Sequence, residues 1–202
     1  MKLYFSPGTC SLSPHIALIE AGIAFEPVLA STKTHKLPDG TDFYTLNPLG
    51  YVPLLELDDG TLLREGQVIV QYIADQAPLK NLAPANGTMP RYRLQEWLAF
   101  IGTELHKNFG PLFGSAMPAE GKAIFKDKLK NRFSYVDGQL AGKQFVMGDH
   151  FTVADCYLFT VTNWAKPVGL DIAEFANLAA WHARVAERPA VKEAVAAEKP
   201  AA

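Results

Sequence analysis

The chain has 202 residues, 49% hydrophobic and 20% charged, with 15 Gly and 14 Pro; this composition excludes disorder, collagen and low-complexity scaffolds. A formal net charge of −2 offers no field that would draw in nucleic acid or an anionic membrane. Two cysteines, no apolar run near the roughly 18 residues of a spanning helix, and no signal-peptide core before Ser6-Pro7-Gly8 make a cytoplasmic protein without a membrane anchor the expectation.

In chain order, Leu3-Tyr4-Phe5, Phe25 to Leu29, Val52 to Leu57 and Thr61 to Leu63 are short apolar runs between Pro and Gly punctuation and predict four strands, the last two joined at Asp58-Asp59-Gly60. Ile16 to Glu20, stopped by Gly22, and Val68 to Ile73 predict two helices. Together they form a small α/β unit with mixed strand directions. The stretch from Ala77-Pro78 to Thr88-Met89-Pro90 has the composition of a connector. Beyond it Leu94, Trp97, Leu98, Ile101, Leu105 and Phe109 draw one stripe along a long helix, and further stripes run through Ile124, Leu129 and Phe133, through Val153, Leu158 and Val161, and through Leu178, Trp181 and Val185. The expected architecture is α/β followed by all-α, with domain boundaries at 1–78 and 88–202 and a linker over 79–87.

Several of these segments can carry chemistry. In Ser6-Pro7-Gly8-Thr9-Cys10-Ser11-Leu12-Ser13-Pro14, Pro14 fits only a first helical turn, so Cys10 lies where a strand gives way to a helix. The positive end of the helix dipole there favours a reactive thiolate. Ser13 occupies the place of the second thiol of a Cys-x-x-Cys pair, so a redox cycle at Cys10 would need an external thiol. Pro53 ahead of an apolar strand leaves the backbone of Val52 free for an added peptide strand. Glu65 and Gly66 open the next helix, where an ammonium or a carboxylate could be received. On the long helix, Thr103 with His106 and Glu104 with Lys107 stand at i,i+3, which for an isolated helix reads first as a solvated ion-pair face. Thr152 and Asp155 form a capping pattern, with Phe151 as its staple and Cys156 in the core behind it. His15, His150 and His182 lack partners at ligand spacing, so they read as structural and no metal is expected.

Five of these stretches occur in register across nearly the whole chain: Cys10-Ser11-Leu12-Ser13-Pro14-His15, Asn47-Pro48 leading to Gly50-Tyr51-Val52-Pro53, Glu65-Gly66, Glu104-Leu105-His106-Lys107, and Gly148-Asp149-His150-Phe151-Thr152-Val153-Ala154-Asp155. In this they resemble the bacterial beta-class glutathione S-transferases. The resemblance implies a thioredoxin-like N-terminal domain with a mixed four-stranded sheet, an all-helical C-terminal domain, a homodimer, a cis Pro53, glutathione as cosubstrate and a detoxification role. It implies that the glutathione sulfur lies beside Cys10, able to form a mixed disulfide with it, and that Val52 pairs with the cysteinyl backbone. Glu65 and Gly66 would hold the γ-glutamyl end, while Thr103, Glu104 and His106 complete the site, Glu104 reaching across the dimer. Lys107, with Phe109, Leu112, Phe113 and Trp164, would border the electrophile. The sequence departs from the family at two places: His35, between Thr34 and Lys36, stands where relatives usually place a lysine for the glycyl carboxylate, and Ala99 where they often have asparagine.

The expected activity is conjugation of the glutathione thiolate to small hydrophobic electrophiles, with Cys10 and His106 as catalytic groups. A glutathione-dependent thiol transferase or reductive dehalogenase is the neighbouring reading, and a non-catalytic ligand carrier is the reading from another class.

Overall fold

The computed structural model describes residues 1–199 as two compact units, one from Met1 to Ala83 joined by the segment from Pro189 on, the other from Pro84 to Arg188. The first unit contains β1 (Lys2–Phe5), α1 (Leu12–Ala21), β2 (Glu26–Leu29), β3 (Leu54–Glu56), β4 (Leu62–Leu63), α2 (Gly66–Gln76) and, from the far end of the chain, α8 (Pro189–Ala197). Strand order is β2-β1-β3-β4. β1 runs parallel to β2, pairing Leu3 with Pro27, and antiparallel to β3, pairing Leu3 with Leu55; β3 and β4 form the expected hairpin. Alternation along β1 sends Tyr4 to one face, where Phe43, Val52 and Leu54 bury it, and Leu3 and Phe5 to the other. α1 packs against β1, α2 and α8, and ends where Gly22, at φ 68°, takes the left-handed cap.

The second unit is helical. It runs through α3 (Met89–Phe100), a π-helical segment Ile101–His106, α4 (Lys107–Phe113), α5 (Ala119–Leu140), α6 (Val153–Thr162) and α7 (Ala176–Ala186). Thr88 caps α3 by accepting from the Arg91 N–H. Of the expected stripe, Leu94, Leu98, Ile101, Leu105 and Phe109 are buried, whereas Trp97 is only half-buried. All ten residues of α6 are buried, so it is the central helix of this unit. Its capping box forms: Asp155 accepts from the Thr152 N–H at 2.9 Å, and also from the Val146 N–H and the Trp181 indole N–H.

The structure corrects the pattern at two points. Ile124, placed on the buried stripe of α5, is 69% exposed, and the stripe runs instead through Leu129, Phe133, Val136 and Leu140. The final helix, expected within a domain covering 88–202, packs on α1 and belongs with the first unit. Amphipathic periodicity says that a helix buries one face, and leaves open which partner covers it.

Candidate active site

In the first unit, the turn into α1 is closed by small polar side chains. Ser11 Oγ accepts from the Ser6 N–H at 3.1 Å, Thr9 Oγ1 donates to the Ser6 carbonyl at 2.8 Å, and Ser13 Oγ donates to the Cys10 carbonyl at 3.0 Å. These bonds hold the segment ahead of the helix and leave Cys10 half-buried at its mouth. The Cys10 thiol donates to the Val52 carbonyl at 3.2 Å, and the Val52–Pro53 peptide is cis. Two segments separated by 42 residues are thus brought together. Contact with Cys10 also revises one expectation: the Val52 carbonyl is already engaged by a thiol proton, so ionising that thiol gives up a bond that opposes the pull of the helix dipole.

The loop ahead of Pro53 is fixed by Asn47, whose amide donates to the Tyr51 carbonyl at 2.7 Å and whose Oδ1 accepts from Arg64 Nε at 3.2 Å. Gly50 has φ 65°, and a Cβ there would lie 2.6 Å from the Tyr44 ring and 2.8 Å from His35 Nδ1, so only glycine fits. His35 itself has φ 52° and its ring lies tilted at 34° against Tyr44, with centroids 4.6 Å apart. Its Nδ1 is buried with no hydrogen-bond partner among the described residues, and Lys33 and Lys36 are exposed. Glu65 makes no side-chain cap; it holds φ 67°, a conformation costly for a residue with a Cβ, while its carbonyl accepts from Val68 and Ile69 at the start of α2. Gly66 lies against the Pro53 ring, with room for a Cβ at 3.6 Å.

In the second unit, Thr103, Glu104 and His106 all lie in the π-helical segment. Its wider turn breaks the i,i+3 registry expected of an α-helix, and Glu104 pairs with Arg132 at 2.7 Å, not with Lys107. The Arg132 guanidinium holds the Glu104 carboxyl below the usual carboxylate range. Thr103 Oγ1 donates to the Ala99 carbonyl at 3.0 Å. His106 Nδ1 lies 2.7 Å from the Tyr157 hydroxyl, with the Trp164 ring edge-on at 4.8 Å. Burial, with the neighbouring Lys107 charge, pushes the His106 imidazole down to about 4. Phe109 and Leu112 are buried, Trp164 is 8% exposed, and Phe113, 54% exposed, stacks on Phe109 and meets Trp164 edge-on at 5.8 Å. Phe113 and Lys107 are therefore the accessible members of that group.

Residues 8–76 match the family description "Glutathione S-transferase, N-terminal domain", and residues 100–189 match "Glutathione S-transferase, C-terminal domain". Glutathione S-transferase GstA of Escherichia coli O157:H7 is 44% identical over 98% of both chains. Among solved structures, a ternary complex of BphK, a bacterial glutathione S-transferase, is 50% identical with a TM-score of 0.96, covering 98% of this chain and 99% of that one. The bacterial beta-class glutathione S-transferase of Sphingomonas chungbukensis is 46% identical with a TM-score of 0.95, over 98% of both. The chain belongs to the bacterial beta-class glutathione S-transferases.

It is therefore an enzyme with the thioredoxin-like and helical domains of that family. Three residues of this transferase that contact the expected site residues were not picked out from sequence: Tyr157, which meets His106; Arg132, which takes Glu104; and Asn108, whose amide donates to the Glu104 carbonyl at 2.6 Å. Asn108 carried a usable signal, since a buried polar residue two places after His106 inside an apolar stripe needs a partner nearby. Tyr157 and Arg132 lie 51 and 28 residues from their partners, and no local pattern connects them.

Proposed function

We propose that this transferase binds glutathione with Cys10, His35, Val52, Pro53, Glu65 and Gly66, and with Thr103, Glu104 and His106. It conjugates the glutathione thiolate to small hydrophobic electrophiles received by Lys107, Phe113 and Trp164, with Phe109 and Leu112 behind them. It works as a cytoplasmic homodimer. The observation that carries the reading is the 3.2 Å contact between Cys10 Sγ and the Val52 carbonyl, which sets a thiol beside the bend ahead of β3 whose backbone suits an extended peptide. In this position Cys10 is a partner for the glutathione sulfur and not the nucleophile toward the electrophile. Oxidised glutathione exchanges with Cys10 to give a mixed disulfide and one released reduced glutathione.

The test is Cys10→Ala. Conjugation of a chloronitrobenzene substrate should fall by no more than about tenfold, roughly 1.4 kcal/mol of barrier. The mass gain of one glutathionyl group on incubation with oxidised glutathione should vanish. Complete loss of conjugation, with fold and glutathione binding intact, would overturn this division of labour in favour of an obligatory Cys10 intermediate. That intermediate is the signature of the thiol-transfer and dehalogenation reading, which also predicts faster turnover of a mixed-disulfide substrate than of the chloronitrobenzene.

A further inference from the structure

His106 and Tyr157 form a contact that nothing in the chemistry of conjugation yet uses. Tyr157 stands on α6, every residue of which is buried, and its ring is 3% exposed. Its hydroxyl lies 2.7 Å from His106 Nδ1, and the two rings meet at 75° with centroids 5.9 Å apart. We propose that Tyr157 is a positioning residue that fixes the tautomer of His106: its phenol donates to Nδ1, the imidazole proton is confined to Nε2, and His106 offers the glutathione sulfur an N–H donor and not a base.

The direction of that hydrogen bond follows from acidity. A phenol O–H is the stronger donor, and a neutral imidazole nitrogen the stronger acceptor, so donation from Tyr157 to Nδ1 is the favoured arrangement. A histidine with one ring nitrogen so occupied carries its proton on the other. The groups around the ring agree with an uncharged imidazole. Tyr157 faces it from α6 and Trp164 from the segment after α6, while Lys107, the nearest charge in sequence, is positive. The one carboxylate of α6, Asp155, is committed to Val146, Thr152 and Trp181. The glutathione thiol meanwhile releases its proton to solvent water, not to a histidine base, and the Nε2–H stabilises the resulting S⁻ by a hydrogen bond.

This proposal rests on the placement of His106 in the glutathione site, and its spectroscopic readout is independent of that placement. Long-range ¹H–¹⁵N correlation spectra of the labelled enzyme without ligand, recorded from pH 5.5 to 8, should show one His106 species with the proton on Nε2. In Tyr157→Phe the two tautomers should mix. Turnover of the chloronitrobenzene should fall about tenfold, the worth of one ordinary hydrogen bond, with little change in KM for glutathione. His106→Gln should lose at least as much turnover as Tyr157→Phe. A wild-type spectrum with the proton on Nδ1, or the Nε2–H form persisting unmixed in Tyr157→Phe, overturns the proposal. An Nε2–H spectrum combined with unaltered turnover in His106→Gln would leave the tautomer assignment standing and remove His106 from the catalytic site instead.

Discussion

Asp155 illustrates a conflict settled at the scale of one residue. It is fully buried, and loss of solvation pushes its carboxyl up to about 6 even though the Val146, Thr152 and Trp181 donors all favour the anion. Because the folded value lies above the unfolded one of about 3.9, the folded state binds more protons over the interval between them. This group's stabilising contribution is therefore complete below that interval and is lost as pH rises through about 6. Urea unfolding at pH 4.5 and 6.5 should show wild type losing stability relative to Asp155→Asn as pH rises, by about 1–3 kcal/mol. A difference of the opposite sign would mean that the donors outweigh burial. The capping role of this aspartate was legible, since Thr-x-x-Asp ahead of an apolar run is a local pattern. Its bond to Trp181, 26 residues away, was not. The same limit separates Cys10, whose turn announces itself, from Tyr157, which reads in sequence as one more apolar position of α6.

Among the elements, the four strands and the helices α1 and α2 of the first unit were readable because Pro, Gly and Asp-Asp-Gly mark their ends. Gly50 shows how strictly such a mark can be enforced. Gly50→Ala combines a positive φ with a Cβ 2.6 Å from the Tyr44 ring, and should cost about 2–3 kcal/mol in unfolding free energy. It should also weaken glutathione binding, measured by calorimetry, because it displaces both His35 and the loop that leads to Val52. The long helix was readable as a helix, but its π-helical segment was not: Ile101, Leu105 and Phe109 recur at a spacing that either helix accommodates. Asn108 secures that segment through the Glu104 carbonyl, and Asn108→Ala should destabilise the protein by about 1–2 kcal/mol. If the segment only fills space, turnover will follow stability. If it presents Thr103, Glu104 and His106, turnover will fall even where the variant is fully folded.

For the whole molecule, domain texture placed the break near residue 80, and the structure ends the first stretch of the first unit at Ala83. What texture could not supply was the return of the chain. His15 Nδ1 meets Glu198 Oε1 at 3.0 Å, both side chains nearly excluded from solvent, with Phe5 and Phe25 edge-on to the imidazole. The histidine does read as structural, but its partner is 183 residues away. Removing one member of a buried pair strands the other, so Glu198→Ala should cost about 3 kcal/mol in urea unfolding, and His15→Ala combined with it should cost less than the sum of the two. Additive losses would show that the two side chains act separately.

Because α8 supplies part of the packing around α1, the unit that carries Cys10 is assembled from two stretches separated by more than a hundred residues of sequence. On the ribosome, its opening segments must wait, with α1 uncovered along one side, until α8 has been made. A nascent chain halted just after Arg188 would expose the surface that a finished one seals.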